Sequence, residues 1–509
     1  MKNKTELIDE AGARQTALLF CKTWFEQRDA ARTAQFLADD VQFVGTGKAE
    51  YAYGKDEMTQ YLIEDIAEIA EPFEMELSVI QERFLNDALY LMSSEMVLRN
   101  TMYAWHLRGF YILRRYKDGW RVCNLHFAEP GNSQREGEHY PQTLVMEKSP
   151  HHIPAIFHME GLCGAFIQEA TSFPSGIARG ASFDPDLEEQ IGSCVAEQEL
   201  ACGITHILAP VLDISRDSRM GRQGESYGED PALASAMGVA YTKGIQETSV
   251  DGRQAESVAK HFLAFHNSQG GIHGTHSDTP ERLLQEIYGK PFQAAIKEAG
   301  LRGIMPCYCS IDGEPASLSH KLLTDLLREQ MGFDGLCISD YGGIENSHNY
   351  QRIGESMADA GEMALAAGMD VEMPSPAGYG KELQERFANQ ALDIGVLDQA
   401  VYRVLCAKFR MGLFEHPYPL MDDKLENVYR KADKGKQLTR QSAMESMTLL
   451  KNDGILPLHK DKIKKIAVIG PHADNARMFF GGYTHISMME SIYAVANSIA
   501  GVAGIENTT

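Results

Sequence analysis

The chain has 509 residues and a formal net charge of −23, with 44% hydrophobic and 23% charged residues. This composition is typical of a globular protein of about three domains, each large enough to bury a core. The excess of negative charge repels phosphate groups, so the sequence argues against nucleic acids and anionic membranes as main partners.

The first residues are charged, and no apolar run approaches the roughly 18 residues that a membrane-spanning helix needs. We therefore expect neither a signal peptide nor a membrane segment, and a cytoplasmic location. The nine cysteines are odd in number and spread along the chain, which is not typical of a disulfide framework. Cys307 and Cys309 are the only two cysteines close together in the sequence, and we expect no zinc site there.

Residues 1–135 are predicted to form a domain in which helices precede strands. A helical apolar pattern covers residues 13–37, and a second helix is predicted for residues 55–70. From residue 73 the pattern changes to period two, which predicts strands at 74–84, 88–99, 103–116 and 120–128. Lys117-Asp118-Gly119 supplies the Asp-Gly turn of the last hairpin. The predicted fold is an α+β cone.

This order of elements, with Gly54 before the second helix and Trp120-Arg121-Val122 in the last hairpin, resembles the SnoaL-like domain of the nuclear-transport-factor type. The fold hosts several functions, and the resemblance implies a small-molecule binding or dimerisation module more than a catalytic one. A homodimer through this domain is therefore possible. His126 and Asp40 are interpreted as a sheet-face histidine and a loop carboxylate, not as an acid–base pair.

From residue 150 to 415 short apolar runs alternate with helices, after a polar stretch at 131–139 that predicts a domain boundary between 130 and 150. Helices are predicted for 185–201 and 231–246, and the runs cover 153–160, 206–213, 258–265, 303–308, 336–340 and 368–373. Buried parallel strands alternating with helices indicate a (β/α) TIM-type barrel, which carries its functional residues at the carboxyl ends of the strands. Six runs instead of eight predict an incomplete barrel. Because proteins cover exposed strand edges, we expect the N-terminal domain or a partner chain to lie over the gap.

The last part of the chain is predicted in two pieces. Residues 416–445 are charged and predict a helical connector without a clear apolar face. A further parallel-type strand is predicted at 466–470. Residues 446–509 are therefore expected to form the start of a further α/β domain, too short to be complete.

Functional side chains are associated with four of the predicted barrel strands. Glu160 and Asp340 end two of the runs, a loop with Arg216, Arg219, Arg222 and Glu225 follows another, and Lys260 and His261 lie on the run 258–265. Carboxylates accept hydrogen bonds from hydroxyl groups, and Lys, Arg and His donate to them, so this set suits a polyhydroxylated substrate. The sequence contains no dinucleotide fingerprint after a strand, no phosphate loop and no H-E-x-x-H helix. We therefore expect no cofactor and no metal.

Several motifs occur in the order seen in glycoside hydrolase family 3, among them Ala209-Pro210-Val211-Leu212-Asp213, Lys260-His261-Phe262 and Ser339-Asp340-Tyr341-Gly342. The chain resembles that family over residues 150–500. The resemblance implies a retaining β-glycosidase, similar to β-glucosidases and β-xylosidases, with a barrel followed by an α/β sandwich domain. Residues 446–509 would then be the truncated start of that sandwich domain. Such an enzyme removes terminal non-reducing β-D-glucosyl or related residues from a carbohydrate substrate through a covalent glycosyl-aspartate.

Carried over residue by residue, the resemblance places Asp340 at the catalytic nucleophile. A retaining enzyme needs this carboxylate at the anomeric carbon, about 5–5.5 Å from a second carboxyl that acts as acid and base. The remaining matches are substrate-binding groups. Tyr308 could equally be an ordinary core residue, and Arg219, in the same loop as Arg222, could serve only to brace that loop. The matched substrate-binding residues are Glu160, Arg222, Lys260, His261, Met305 and Tyr308.

Other possibilities remain open. The family's usual acid/base is a Glu of the sandwich domain, and the resemblance assigns that role to no residue here. The chain could therefore be an impaired derivative that binds sugar but turns over poorly, or the N-terminal domain could be the active part. One branch of the family, which acts on N-acetylglucosaminides, uses a His–Asp dyad close to the position of His273, His276 and Asp278. The preceding Gly270-Gly271-Ile272 looks more like the ordinary glucosidase branch.

Overall fold

The computed structural model describes residues 4–45, 51–86, 88–101, 104–128, 141–149, 151–420 and 433–490. The chain divides into two compact units, Met1–Glu138 and His139–Thr509. The polar stretch at 131–139 lies outside the described residues. In the described ranges no helix is both long enough and apolar enough to cross a bilayer.

The N-terminal unit combines helices with one six-stranded sheet. Its elements are α1 (Lys4–Cys21), α2 (Ala30–Thr33), β1 (Leu37–Val44), β2 (Tyr51–Tyr53), α3 (Lys55–Glu68), β3 (Glu74–Asn86), β4 (Leu89–Arg99), β5 (Ala104–Tyr116) and β6 (Gly119–Ala128). The strand order is β2-β1-β6-β5-β4-β3, with β3 to β6 antiparallel and β1 parallel to β6. The second predicted helix and the four predicted strands are confirmed, whereas β1 and β2 were not predicted.

The helix predicted for residues 13–37 is wrong beyond Cys21. A π-helical turn, Lys22–Glu26, follows α1, and Asp29 then caps α2 by accepting a hydrogen bond from the backbone N–H of Arg32. Between them Arg28 has a φ of 49°, a left-handed conformation that a continuous helix cannot contain. The interruption frees the residues after α2 to form β1.

One face of the sheet buries an aromatic core, and the other carries charged residues. Trp24 stacks on Phe25, with ring centroids 4.8 Å apart. On the outer face Asp40 pairs with Arg114 at 2.7 Å, and this hydrogen bond lowers the pKa of Asp40. Asp40 thus lies on β1 and not in a loop, and its partner is an arginine and not His126.

The second unit alternates helices and short strands. Its elements are α4 (Pro141–Lys148), β7 (His158–Met159), α5 (Gly176–Gly180), α6 (Pro185–Ala201), β8 (His206–Ile207), α7 (Pro231–Gln246), β9 (Ser249–Val250), β10 (Arg253–Gln254), β11 (Glu256–Phe262), α8 (Glu281–Leu283), α9 (Lys290–Ala299), β12 (Gly303–Pro306), β13 (Ser310–Ile311), β14 (Glu314–Pro315), β15 (Leu336–Cys337), α10 (Gly343–Asn349), α11 (Met357–Ala367), α12 (Lys381–Ala388), α13 (Ile394–Arg410) and α14 (Asp433–Glu445). A π-helical segment, Lys321–Gln330, precedes β15.

Five parallel strands form the central sheet of this unit, in the order β15-β12-β11-β8-β7. The sixth predicted run adds one bridge, between Ile338 and Val371, beyond β15. Over the described residues the sheet stays open, so the predicted TIM-type barrel is not observed as a closed ring. An eight-stranded ring needs further paired strands between β7 and the Val371 bridge. That the N-terminal domain or a partner chain lies over these open strand edges stays a prediction.

Close helix packing holds the sheet in place. A Cβ atom on Gly244 of α7 would lie 2.1 Å from the carbonyl oxygen of Glu189 on α6, so the approach of these two helices requires glycine. An apolar cluster contains Val258 and Leu336 of the strands, Leu208 directly after β8, and Met411 directly after α13. The carboxyl ends of the strands are thereby set side by side.

Residues 433–490 contain a helix where one was predicted and differ from the predicted strand. The helix expected in the connector is present as α14, and it is packed, because Leu438 is buried and Thr439 donates to the Ser172 carbonyl oxygen at 3.0 Å. The strand predicted at 466–470 belongs to no sheet of the described residues, and Ile466 and Ile469 are 67% and 89% exposed. A strand needs a neighbour for its backbone hydrogen bonds, and the described residues offer this segment none.

Candidate active site

Charged side chains gather where the parallel strands of the second unit end. The structure brings together six of the seven predicted site residues, namely Glu160, Arg222, Lys260, His261, Tyr308 and Asp340. Met305 is on the same strands but 1% exposed, in the apolar cluster with Leu208 and Val258, so its place in a pocket wall stays a prediction.

Lys260 and His261 are neighbours in the chain, yet both face the site. In a regular strand adjacent side chains point to opposite faces. Lys260 pairs with Met305 of β12 and Phe262 pairs with Pro306, so His261 is an extra residue between two registered pairs. Such a β-bulge redirects a side chain, and here it gives one strand two functional groups.

Lys260 forms a buried ion pair with Glu160. Its Nζ atom donates to Oε2 of Glu160 at 2.6 Å, and the two side chains are 2% and 12% exposed. Burial raises the pKa of Glu160 against the opposing effect of Lys260. Burial alone would lower the pKa of Lys260, but Glu160 and Tyr483 outweigh it, and the net shift is upward. The ammonium group therefore keeps its charge, and Oε1 of Glu160 is left for a hydroxyl group.

His261 is held between Asp213 and Arg222. Its Nδ1 atom lies 2.7 Å from Oδ2 of Asp213, and Arg222 Nη2 lies 3.2 Å from its Nε2. Because arginine can only donate, Nε2 is the acceptor and the ring proton is on Nδ1. Burial, followed by the charges of Arg222 and Lys260, lowers the pKa of His261 far enough to keep the ring neutral at neutral pH.

Arg222 lies in a loop and is fixed by Glu225. The guanidinium and carboxylate form a bidentate pair with two N–O distances of 2.6 Å, which sets the plane of the guanidinium. The same group lies 3.3 Å from Nε2 of His273 and 3.4 Å from the hydroxyl oxygen of Tyr483. Arg222 thus connects the loops after two strands with residues 481–484.

Asp340 follows β15 at a tight turn into α10. Its Oδ1 atom accepts a hydrogen bond from the backbone N–H of Tyr341 at 2.7 Å, and Oδ2 lies 3.7 Å from Nε2 of His261. Gly342 has a φ of 68°, a left-handed conformation that favours glycine, and this lets the chain turn sharply after the carboxylate. The carboxylate is mostly buried and points toward His261.

Tyr308 lies close to Asp340 and packs against His273. Tyr308 donates from its hydroxyl to the carbonyl oxygen of Tyr341 at 2.8 Å. Burial, followed by the nearby charge of Asp340, raises the pKa of Tyr308. The ring of His273 lies 5.0 Å from that of Tyr308. Tyr308 therefore lies close to Asp340, while its side chain also packs against the main apolar core, so its place in a pocket wall stays a prediction.

Other predicted polar residues lie outside this cluster. Arg219 forms an exposed pair with Asp217 at 2.6 Å and braces its own loop. His276 and Asp278 form an exposed pair at 3.3 Å, while His273 contacts Arg222 instead. His276 thus pairs with Asp278 at the surface, and His273 belongs to the site through Arg222.

Sequence reasoning missed several residues of the site. Asp213 ends a predicted strand, and its position was the signal that could have assigned it to His261. His158 precedes Glu160 by two residues on the same predicted run and Tyr341 directly follows Asp340, so their positions carried a similar signal. Tyr483 carried none, because it lies in a separate segment and contacts Arg222 only through the fold.

In this arrangement the two cationic side chains, Lys260 and Arg222, are each paired with a carboxylate, and Asp340 lies beside them. Such a set can accept and donate hydrogen bonds to several hydroxyl groups while one carboxylate stays available for attack on carbon. In the described part of the chain no three or more His, Cys, Asp or Glu side chains are arranged to hold a metal ion.

Comparison with known families shows which family the chain belongs to. Residues 128–407, more than half of the chain, match the Glycosyl hydrolase family 3 N terminal domain, and residues 447–507 match the Glycosyl hydrolase family 3 C-terminal domain. Residues 15–130 match the SnoaL-like domain.

The chain is similar to named glycosidases. It is 36% identical to a beta-xylosidase of Formosa agariphila over 65% of this chain and 48% of that protein. It is also 36% identical to a beta-glucosidase of Rhizobium radiobacter over 67% of this chain and 40% of that protein. The chain thus spans less than half the length of these relatives.

Solved structures show the same likeness. A beta-glucosidase from Listeria innocua in complex with glucose has a TM-score of 0.57 and 31% identity, covering 62% of this chain and 43% of that one. A beta-glucosidase involved in saponin metabolism from intestinal bacteria has a TM-score of 0.64 and 34% identity, covering 69% of this chain and 46% of that one.

The buried ion pair generates a stability prediction. Glu160→Gln leaves the Lys260 ammonium buried without a countercharge and should lower the free energy of unfolding by about 3–5 kcal/mol. Urea unfolding followed by far-UV circular dichroism measures this loss. Tryptophan fluorescence is an internal reference for the N-terminal unit, because Trp24, Trp105 and Trp120 all lie there, and its midpoint should not move.

The matched control is Glu286→Gln, which breaks an exposed ion pair with Arg282, 56% and 82% exposed. Exposed pairs contribute about 0–1 kcal/mol. Equal effects of the two substitutions would show that the Glu160 pair is not buried as described.

Proposed function

Because this chain belongs to glycosyl hydrolase family 3, we propose that it hydrolyses terminal non-reducing β-D-glucosyl or related β-glycosidic residues with retention of configuration. The observation that carries the proposal is the Asp340 carboxylate, held by the Tyr341 N–H and set beside neutral His261 among paired charges. The names of the similar proteins favour β-glucosides and β-xylosides as substrates.

The proposed reaction has two displacements. An oxygen of Asp340 attacks the anomeric carbon as the bond to the aglycone oxygen breaks, which forms a covalent glycosyl-aspartate. Water then attacks the same carbon, releases Asp340 and restores the original configuration. The leaving oxygen takes up a proton in the first step, and the water loses one in the second.

The side chains around Asp340 have matching roles in binding. Glu160 accepts hydrogen bonds from sugar hydroxyls through Oε1, while Lys260 donates and neutralises its charge. Arg222, oriented by Glu225, donates to the substrate from the opposite loop. Neutral His261 leaves the Asp340 carboxylate without a strong competing cation, so the carboxylate keeps its nucleophilicity.

Asp340→Asn tests the nucleophile. The amide cannot form a glycosyl ester, so kcat/KM for 4-nitrophenyl β-D-glucoside should fall by roughly 10³-fold or more. In Asp340→Gly the missing side chain leaves room for a small anion, so added azide should replace the nucleophile in that variant and restore part of the release of nitrophenol.

A matched control for that variant is Asp334→Asn, which alters an exposed aspartate, 75% exposed and paired with Arg302, and should leave kcat/KM unchanged. A fully active Asp340→Asn variant would contradict the proposal. Sustained hydrolysis of cellobiose by the unsubstituted protein would contradict the alternative of an impaired, sugar-binding derivative.

For the N-terminal unit we propose that a second copy of this chain binds the outer face of the six-stranded sheet. Leu91 and Ile112 lie directly opposite each other on this face, and Phe110 next to them is 38% exposed. Two ion pairs flank this apolar centre, one between Arg108 and Glu95 and another between Arg114 and Asp40. An apolar centre with a charged rim is the usual composition of a protein interface.

Phe110→Glu should abolish the dimer, because it places a charge in the apolar centre of the interface. Sedimentation velocity should show a dimer for the unsubstituted protein and a monomer for the variant. Ile63→Glu is the control on α3, where Ile63 is 49% exposed outside this face, and it should stay dimeric. A monomeric unsubstituted protein at micromolar concentration would contradict the proposed dimer.

A further inference from the structure

A hydrogen bond between His158 and Tyr341 spans the open side of the central sheet. His158 belongs to β7, one edge strand, and Tyr341 follows β15, the strand at the other end of the five-stranded order. Nε2 of His158 lies 2.9 Å from the hydroxyl oxygen of Tyr341, and the rings are 5.8 Å apart between centroids. This contact joins residues that are 183 positions apart in the chain.

Each partner of this bond sits beside a functional carboxylate. His158 is two residues before Glu160, and side chains two apart on a strand lie on the same face. Tyr341 comes directly after Asp340. The bond therefore ties the strand that carries the sugar-binding carboxylate to the strand that carries the proposed nucleophile.

Tyr341 is also the residue that orients Asp340. Its backbone N–H donates to Oδ1 of Asp340 at 2.7 Å, and its carbonyl oxygen accepts the hydroxyl of Tyr308 at 2.8 Å. The side chain is 42% exposed, so packing alone holds it weakly. A fixed side chain fixes the peptide that bonds to the carboxylate.

We propose that His158 is a positioning residue, which holds Tyr341 across the open side of the sheet and thereby sets the orientation of the Asp340 carboxylate. The inference rests on the proposed function, since it concerns the geometry of the same nucleophile. His158 itself touches neither Asp340 nor Lys260 through a hydrogen bond in the described contacts.

The protonation states are compatible with a lasting bond. Burial, followed by the charge of Lys260, lowers the pKa of His158, and the ring stays neutral at neutral pH. Burial, followed by the charges of Glu160 and Asp340, raises the pKa of Tyr341, so the phenol keeps its proton. A neutral imidazole and a neutral phenol can exchange donor and acceptor roles without breaking the contact.

A double-mutant cycle tests the proposal. His158→Leu and Tyr341→Phe each remove one partner, and each should lower the kcat for release of nitrophenol from 4-nitrophenyl β-D-glucoside by about 3- to 10-fold. KM should change by less than about twofold, because the groups that bind sugar stay in place. The double variant should be no slower than either single variant, since both remove the same bond.

Rescue and controls separate positioning from general stability. His158→Gln places an amide nitrogen close to the position of Nε2 and should restore most of the kcat. His320→Leu, in an exposed pair with Asp325, and Tyr350→Phe, at an 81% exposed tyrosine, should leave kcat unchanged. Thermal unfolding followed by circular dichroism shows whether any variant has lost its fold.

The possible failures are distinguishable. Binding of isofagomine, a sugar-like cation, is measured by calorimetry on the same proteins. If the unsubstituted protein neither binds isofagomine nor releases nitrophenol, the proposed function fails and the role of His158 fails with it. If the unsubstituted protein is active but His158→Leu matches it in kcat, or the two substitutions add fully, the positioning role alone is overturned.

Discussion

The ion pair between Lys260 and Glu160 is the interaction on which the rest of the site depends. A buried ammonium group is tolerated only beside a countercharge. Glu160, which follows β7, supplies that charge to Lys260 on β11 at a distance of 2.6 Å. The same rule applies to Arg222, which is paired with Glu225, whereas His261 is neutral and is held by a hydrogen bond to Asp213. Charge compensation thus leaves Asp340 as a carboxylate with one backbone donor and a neutral neighbour.

Much of the architecture was predictable because its signals are local. Period-two patterns placed β3 to β6, polar residues at the ends of apolar runs located Glu160 and Asp340, and Lys260 was found as a charged residue within an apolar run. Long-range contacts were not predictable. The β-bulge at His261 depends on register with β12, and the interruption of α1 depends on the left-handed Arg28.

Burial also decided where the predictions failed. The strand expected at 466–470 has a suitable apolar sequence, but a strand forms only where a neighbour accepts its backbone hydrogen bonds. By contrast, the helix expected in the charged connector is present as α14, where Leu438 is buried and the Thr439 hydroxyl donates to the main chain. Tyr483 then reaches Arg222 from the segment beyond that helix.

An open sheet changes what holds an active site together. In a closed ring, backbone hydrogen bonds fix the distance between every pair of strands. In the described residues of this chain the two ends of the sheet meet through side chains, among them His158 and Tyr341. Positioning of the nucleophile is then a property of a few side chains and not of the whole ring.

The central claim, that Asp340 forms a covalent bond to the sugar, is tested most directly by trapping that bond. A 2-deoxy-2-fluoro-β-glucoside with a good leaving group slows the second displacement more than the first, so the glycosyl ester accumulates. Mass spectrometry of the intact chain should show the addition of one fluorosugar, and peptide fragmentation should place it on Asp340. A protein that stays unmodified while it hydrolyses the parent glucoside, or a label on another residue, would contradict the claim.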